Sequence, residues 1–461
     1  MAIAGRHDSL QPFFVLYRQQ LLLTMMQKNN PRVINAWCSY DWANSVYNLI
    51  VTTAIFPIYY SAATKEAFGG EVVLFFGFSF VNTVLYTYAI SFSFFLIVLL
   101  SPVLSGIADY SGRKKRFMQF FTYLGSLACI GLFFFYGENI EWGIGCAVLA
   151  SVGYAGSLVF YNGFLPEIAT ADRMDKISAR GFSFGYIGSV ILLLLTLFMI
   201  LNPEMLGLGT TGNATRFGFL LVGIWWIGFA QIAFHYLKDR PTGHPINRQV
   251  LGKGFQEIAK VIKALKQQVN TLRFLLSFFF YSMGVQTVML LAPLFGEAEV
   301  GITGDEMIIV VLILQVLAIA GATFFAWLSG RKGNKFAIGG TLIIWMGICL
   351  LAYFLKDKMS FYALAGLLGF VMGGIQAVSR SAYSKLIPEG TKDTASYFSF
   401  YDITEKIAIV LGTFSFGLIL QLTDSMRNSM LFMCLFFLIG FGILQTARLK
   451  KKREEALATY S

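Results

Sequence analysis

Asp41, Asn44, Ser45, Asn48 and Thr52 stand in an otherwise apolar stretch at spacings i, i+3, i+4, i+7 and i+11. Helical periodicity puts all five on one face. A carboxylate beside amides and hydroxyls can bind a polar solute, exchange a proton, or hydrogen-bond a neighbouring helix. Asp41 is therefore the first candidate for solute contact or proton coupling, with a purely structural hydrogen bond as the competing reading. A second constellation is Tyr401-Asp402-Ile403-Thr404-Glu405-Lys406. Asp402 and Glu405 share a face at i, i+3, and the preceding apolar run supplies Gln376 and Arg380 at similar depth. Pairing of Arg380 with Asp402 or with Glu405 would offset the cost of burying both charges. Such a pair is either a gate that breaks when packed elements move or a fixed tie between helices. Asn162, Tyr281 and Gln286 are further polar side chains in apolar runs and weaker cavity candidates.

These residues need elements to position them, and composition says which. The chain has 461 residues, 56% of them hydrophobic and only 13% charged, whereas soluble proteins carry about 25% charge. Apolar runs of bilayer length recur about twelve times, at 33–60, 84–107, 117–136, 142–164, 178–201, 217–237, 274–295, 307–328, 336–355, 361–386, 398–420 and 429–449. Each is long enough for a membrane helix, and an intramembrane polar face must meet protein or water rather than lipid. The fold class is an all-α membrane protein. Of the 36 Lys and Arg, all but Lys65, Arg216, Lys356, Lys358 and Arg427 fall on or toward one side. The positive-inside rule then places both termini in the cytoplasm. It also accounts for the net charge of +11 without invoking nucleic acid.

The expected organisation is a leader at 1–32, a first six-helix bundle at 33–237, a basic cytoplasmic linker at 238–273, a second bundle at 274–449 and a basic tail at 450–461. Within the linker, Phe255, Ile258, Ile262, Leu265 and Val269 define an amphipathic helix. Residues 13–26 are apolar but short and interrupted by Arg18. They read as an interfacial helix, or as sequence upstream of a start at Met26. The five cysteines lie in apolar runs without metal-site or disulfide spacing. His7, His235 and His244 lie outside the polar stripes, no nucleophile–base arrangement is visible, and no G-x-x-x-x-G-K-[ST] loop is present. No enzyme activity, cofactor or metal is expected. The partners implied are a small-molecule substrate and the lipid bilayer.

The halves echo each other. Leu165-Pro166-Glu167 and, later, Phe182-Ser183-Phe184 answer Ile387-Pro388-Glu389 and Phe398-Ser399-Phe400 at nearly constant offset. Gly112-Arg113-Lys114 answers Gly333-Asn334-Lys335. Six helices per half, repeated in parallel, imply a pseudo-twofold axis along the membrane normal. The loop Gly106-Ile-Ala-Asp109-Tyr-Ser-Gly112-Arg113-Lys114 resembles the loop between helices 2 and 3 of the major facilitator superfamily. A narrower resemblance rests on Asn35-Ala-Trp37-Cys-Ser-Tyr40-Asp41-Trp42-Ala-Asn44-Ser45, on Gly185-Tyr-Ile-Gly188 and on Gly373-Gly-Ile-Gln376-Ala-Val-Ser379-Arg380-Ser381. These segments resemble the vacuole-effluxer branch, whose yeast members are autophagy-related vacuolar amino-acid exporters and whose bacterial members have unknown substrates. The resemblance implies secondary transport of small solutes by alternating access, with amino-acid efflux as the first substrate reading. A non-transporting receptor on the same scaffold is the alternative. It also implies that Asp109 meets the positive N-terminus of helix 11, that Arg113 pairs with Glu167, and that both hold one side closed. Gly330 stands where a second Asp would be, so the second half is expected to lack its own latch.

Overall fold

The computed structural model describes residues 28–242 and 249–449. The expected leader helix, the start at Met26, the basic tail, His7 and His244 lie outside them.

The chain opens with α1 (Pro31–Val46), capped by the Asn30 side chain on Arg32 N–H and started by a proline that needs no donor. A π-helical segment (Tyr47–Ala54) follows, and α2 (Phe56–Phe68) continues after a 45° bend with Pro57 in its first turn. The two-stranded antiparallel hairpin β1 (Val72–Phe75) and β2 (Phe78–Val81) comes next. Sequence periodicity had no hold on it, because its residues are apolar on both faces. Then come α3 (Asn82–Ser111), α4 (Lys114–Leu132), α5 (Ile140–Gly163), the short α6 (Leu165–Ile168), α7 (Ala171–Leu201) and α8 (Thr211–Tyr236). The second part holds α9 (Gln249–Gln267), α10 (Val269–Val300), α11 (Gly304–Lys332), α12 (Asn334–Tyr353), α13 (Lys358–Leu386), α14 (Thr394–Thr423) and α15 (Met426–Thr446).

Among the described residues, ten helices are long and apolar enough to cross a membrane, or eleven with the bent α1–α2 pair as one span. Helix α4, whose first three residues are cations, is not among them. Most apolar side chains on the outer surface, such as Phe92, Phe95, Leu194 and Phe414, are exposed, as lipid-facing positions require.

Two apolar cores form. One draws chiefly on residues between Ile34 and Leu237, the other on residues between Val261 and Leu444. Between them, α7 packs on α11 and α13, while α14 packs on α3 and α5. Close approach within the second core needs glycine. A Cβ at Gly321, Gly369 or Gly373 would run into the backbone of Phe370, Leu314 or Ala318 respectively.

Helix α9 packs against α3 and α14, and Lys260 bridges to Asp393 at 3.0 Å. Its buried stripe is Val261 and Leu265, whereas Phe255, Ile262 and Val269 are exposed. The amphipathic face expected from the sequence is thus split. Its Ile258–Leu265 side meets protein, and the rest points outward. Val269 belongs to the next helix, α10.

Candidate functional site: an ion pair across the two halves

The site forms where α1, α5 and α7 of the first half meet α13 of the second. Trp37 on α1 stacks on Tyr161 of α5, with centroids 4.5 Å apart, and its indole N–H donates to the Tyr161 carbonyl at 3.0 Å. That contact fixes the helix face that carries Asp41. Arg380 on α13 crosses the interface and donates from both Nη1 and Nη2 to Asp41 Oδ2, each at 3.1 Å. Tyr161 Oη donates to the same oxygen at 2.8 Å. Arg380 Nε and Nη2 donate further to Ser178 Oγ at 3.0 Å and the Ser178 carbonyl at 2.8 Å. Nη1 also approaches Asn162 Oδ1 at 3.4 Å, and the guanidinium lies 4.1 Å over the Phe182 ring.

Both charged side chains are only 5% exposed. A pair this deep has lost its hydration, and only these additional hydrogen bonds and ring contacts offset the cost. Helix α7 can approach because it presents Gly181, Gly185 and Gly188 to α1. A Cβ at Gly181 would meet Asp41 Oδ2 and come 2.9 Å from Arg380 Nη2, and one at Gly185 would meet the Ser45 hydroxyl. The glycine spacing is therefore part of the site's construction.

Asn44 is buried. Its Oδ1 accepts from Ser45 Oγ at 3.3 Å, and its Nδ2 has no partner among the described residues. Asn48 is exposed. The π-helical segment begins at Tyr47 and shifts the angular position of every later residue, Asn48 and Thr52 included.

Arg380 pairs with neither Asp402 nor Glu405, contrary to the expectation from depth alone. Its face of α13 looks at the other half, and those acids find their cation on their own helix, one turn after Asp402 and next to Glu405. Lys406 Nζ sits 3.5 Å from Asp402 Oδ1 and 3.4 Å from Glu405 Oε2. The i, i+4 spacing of Asp402 and Lys406 was the readable signal for this pairing. Gln286 Nε2 donates to Glu405 Oε1 at 2.8 Å. Of the other candidates, Gln376 Oε1 accepts from Tyr186 Oη at 2.7 Å across the halves, and Tyr281 Oη lies 2.7 Å from Ser379 Oγ within one half.

One end of the bundle is stitched shut. Asp109, at the end of α3, accepts from the backbone N–H groups of Ala395 at 3.2 Å and Ser396 at 2.7 Å, in the first turn of α14. There the helix dipole favours an anion. Gly112 turns the chain in the left-handed region (φ 65°), where any side chain is strained. Its carbonyl accepts from Arg240 N–H at 3.0 Å. The cation that meets Glu167 is Lys114, not Arg113. Lys114 starts α4 facing inward and also reaches Thr394 Oγ at 2.5 Å in the other half.

The second half does have a latch, and its acid comes from across the interface. Asp175 on α7 accepts from Ser329 Oγ at 3.1 Å, Asn334 Nδ2 at 2.8 Å, Ser381 Oγ at 2.6 Å and Lys385 Nζ at 2.7 Å. The loop that lost its acid at Gly330 is held by an acid on the opposing helix. At the opposite end, the ion pairs Lys65–Glu71, Lys358–Glu306 and Arg427–Glu299 each stay within one half.

A family model described as "Vacuole effluxer Atg22 like" matches residues 29–457. The chain is 31% identical over 428 residues to "Uncharacterized MFS-type transporter YxiO" of Bacillus subtilis (strain 168), covering 91% of this chain and 95% of that one. It is 26% identical over 434 residues to "Autophagy-related protein 22" of Saccharomyces cerevisiae (strain ATCC 204508 / S288c), covering 82% and 80%. In fold it matches the transporter FucP in the outward conformation (TM-score 0.66, 14% identity, 92% and 99% covered). It likewise matches the human organic anion transporter MFSD10 (TM-score 0.67, 12% identity, 91% and 100% covered). The protein is a multi-pass membrane transporter and not an enzyme, and its bacterial relative is consistent with a location in the inner membrane. A family match that runs almost the length of the chain, together with the 31% identical bacterial relative, places it in the vacuole effluxer Atg22-like family of the major facilitator superfamily.

Proposed function

We propose that this protein is a proton-coupled secondary transporter that exports amino acids by alternating access across the bacterial cytoplasmic membrane. Both termini lie in the cytoplasm and twelve helices span the bilayer, with α4 among them. The stitched end is then cytoplasmic, and the conformer faces outward. The observation that carries the reading is the Asp41–Arg380 pair, because it joins the halves at membrane depth through groups that match a zwitterion. An α-carboxylate competes with Asp41 for the Arg380 fork, and an α-ammonium competes with Arg380 for Asp41. The unpartnered Asn44 amide offers a further donor beside them. Substrate binding thereby loosens the tie between the halves, which is what exchange of access requires.

The test is counterflow in proteoliposomes preloaded with amino acids, dipeptides and organic acids, with trace labelled solutes outside. Accumulation of labelled amino acids by wild type, lost in Asp41→Asn, supports the reading. Accumulation of organic acids alone would replace the substrate class, and no counterflow by folded protein would overturn transport of these solutes.

A further inference from the structure

We propose that the cluster of Asp402, Glu405 and Lys406 on α14 is the proton-binding site of this transporter, with Asp402 as the proton's seat. The inference deepens the transport reading and rests on it for the purpose of the proton, though not for its binding. Four observations carry it. First, the cluster has two carboxylates and one ammonium, so it is one positive charge short of neutrality. Second, the two acids are served unequally. Glu405 takes the Gln286 amide at 2.8 Å as well as Lys406, whereas Asp402 Oδ2 is buried with no hydrogen-bond partner among the described residues. An ionised carboxylate oxygen sealed from water and donors is the costliest atom in such a site, and a proton removes that cost. Third, the Asp402 side chain is 9% exposed and Glu405 24% exposed. Glu405 is thus the more accessible of the two acids, and Asp402 the more sealed. Fourth, the competing ligand is excluded. Lys406 Nζ already occupies the space between the carboxylates, and no group of three acidic, histidine or cysteine side chains suited to a metal ion exists among the described residues.

Among the described residues, Lys406 is the only cation in an ion pair with either acid. Helix α3 presents the Phe94 ring, 5.6 Å from Lys406 Nζ. Tyr154 on α5, Tyr281 on α10 and Tyr401 on α14 are the neighbouring ionisable groups that feel Glu405, and all are phenols. Helix α15 carries no charged residue from Asn428 to Thr446. Arg380 on α13 is engaged by Asp41. That same engagement argues against Asp41 as the seat, since Asp41 already has its counter-ion.

The site also has a mechanical connection. Helix α14 is held to α3 by Asp109 at its first turn and by the Ser101–Ser399 hydrogen bond at 2.8 Å. Asp402 lies on the next turn, and Lys406 lies against α3 through Phe94. Protonation of Asp402 turns Lys406 wholly to Glu405 and so changes the α3–α14 seam that keeps the stitched end closed.

The test is a pH-induced infrared difference spectrum of the full-length protein in lipid, with no solute added. Beside the titration of solvated carboxyls, wild type and Asp41→Asn are expected to show on acidification the high-frequency band of a protonated carboxyl sealed from water, and Asp402→Asn to lose that band. Glu405→Gln is expected to keep the band at a shifted pH, which guards against misfolding of a single variant. A sealed-carboxyl band that survives in Asp402→Asn would overturn the proposal, as would its absence in wild type. Because the spectrum needs no substrate, a failed counterflow assay with a normal band would remove the amino-acid reading and leave the proton site standing.

Discussion

At the scale of residues, the Asp41–Arg380 pair makes a sharp prediction. Removing one partner leaves the other buried and uncompensated, which costs about 3–5 kcal/mol. Asp41→Asn is expected to lower the unfolding temperature in detergent and to abolish counterflow. The double variant Asp41→Asn with Arg380→Gln should recover most of the stability and none of the transport, since no fixed charge is left stranded. Gly181→Ala should behave differently. Its methyl group intrudes on Asp41 Oδ2 and pries the pair open, so counterflow should fall by about tenfold or more, equivalent to roughly 1.4 kcal/mol at the pair, while both charges remain. The sequence made Asp41, Asn44 and Arg380 legible as candidates because polar and ionisable residues in hydrocarbon must have partners. It did not make their partners legible. Arg380 is equally close in depth to acids of its own half, and only the facing of α13 toward α7 decides for Asp41. Likewise Arg113 and Lys114 are adjacent cations, and the direction in which α4 starts selects Lys114 for Glu167.

At the scale of elements, the glycines of the α11–α13 contact predict a contrast. Gly373→Ala forces a methyl group onto the Ala318 backbone and should cost about 1–3 kcal/mol. Gly340→Ala on α12, with nothing within 4 Å of the added carbon, should be neutral in the same thermal assay. Helix α13 also has a pH-sensitive start. Asp357 accepts from Ser360 N–H at 2.9 Å and Ser360 Oγ at 2.7 Å, and these bonds hold its carboxyl below the usual range. A depressed acid stabilises the folded state fully above its unfolded value, about 3.9, and loses that contribution as pH falls through its lower folded value. Protection of the first-turn amides of α13, taken relative to intrinsic exchange at each pH, should therefore fall on acidification to that range, and Asp357→Ala should show low protection at every pH. The long helices were readable from apolar run lengths. The β1–β2 hairpin and the π-helical segment were not. The hairpin's Phe76 and Phe78 are 72% and 70% exposed, so no alternation marks its strands. The π-helical segment keeps the composition of a helix while changing its angular step, so the α-helical spacing of Asn48 and Thr52 from Asp41 does not carry over to the structure.

At the scale of the whole molecule, the cross-half contacts concentrate at one end. Neutralising a single latch should shift the conformational balance only partly, because the other remains. Asp109→Asn with Asp175→Asn is expected to open that end. Alkylation of a cysteine placed at Ser399 should then rise steeply in the double variant and modestly in each single one. The latches also differ in construction. The first half offers an acid from its loop to a helix start, and the second half receives an acid on its loop from a helix. Two copies of the first half could not close on each other. The loop of one would bring Asp109 against the start of α7 in the other, where Asp172 and Asp175 already stand. The charges of the two halves thus form a lock that accepts only the unlike mate. A chain severed between α8 and α9 should therefore reassemble from its two unlike fragments, and the first fragment expressed alone should find no partner in itself.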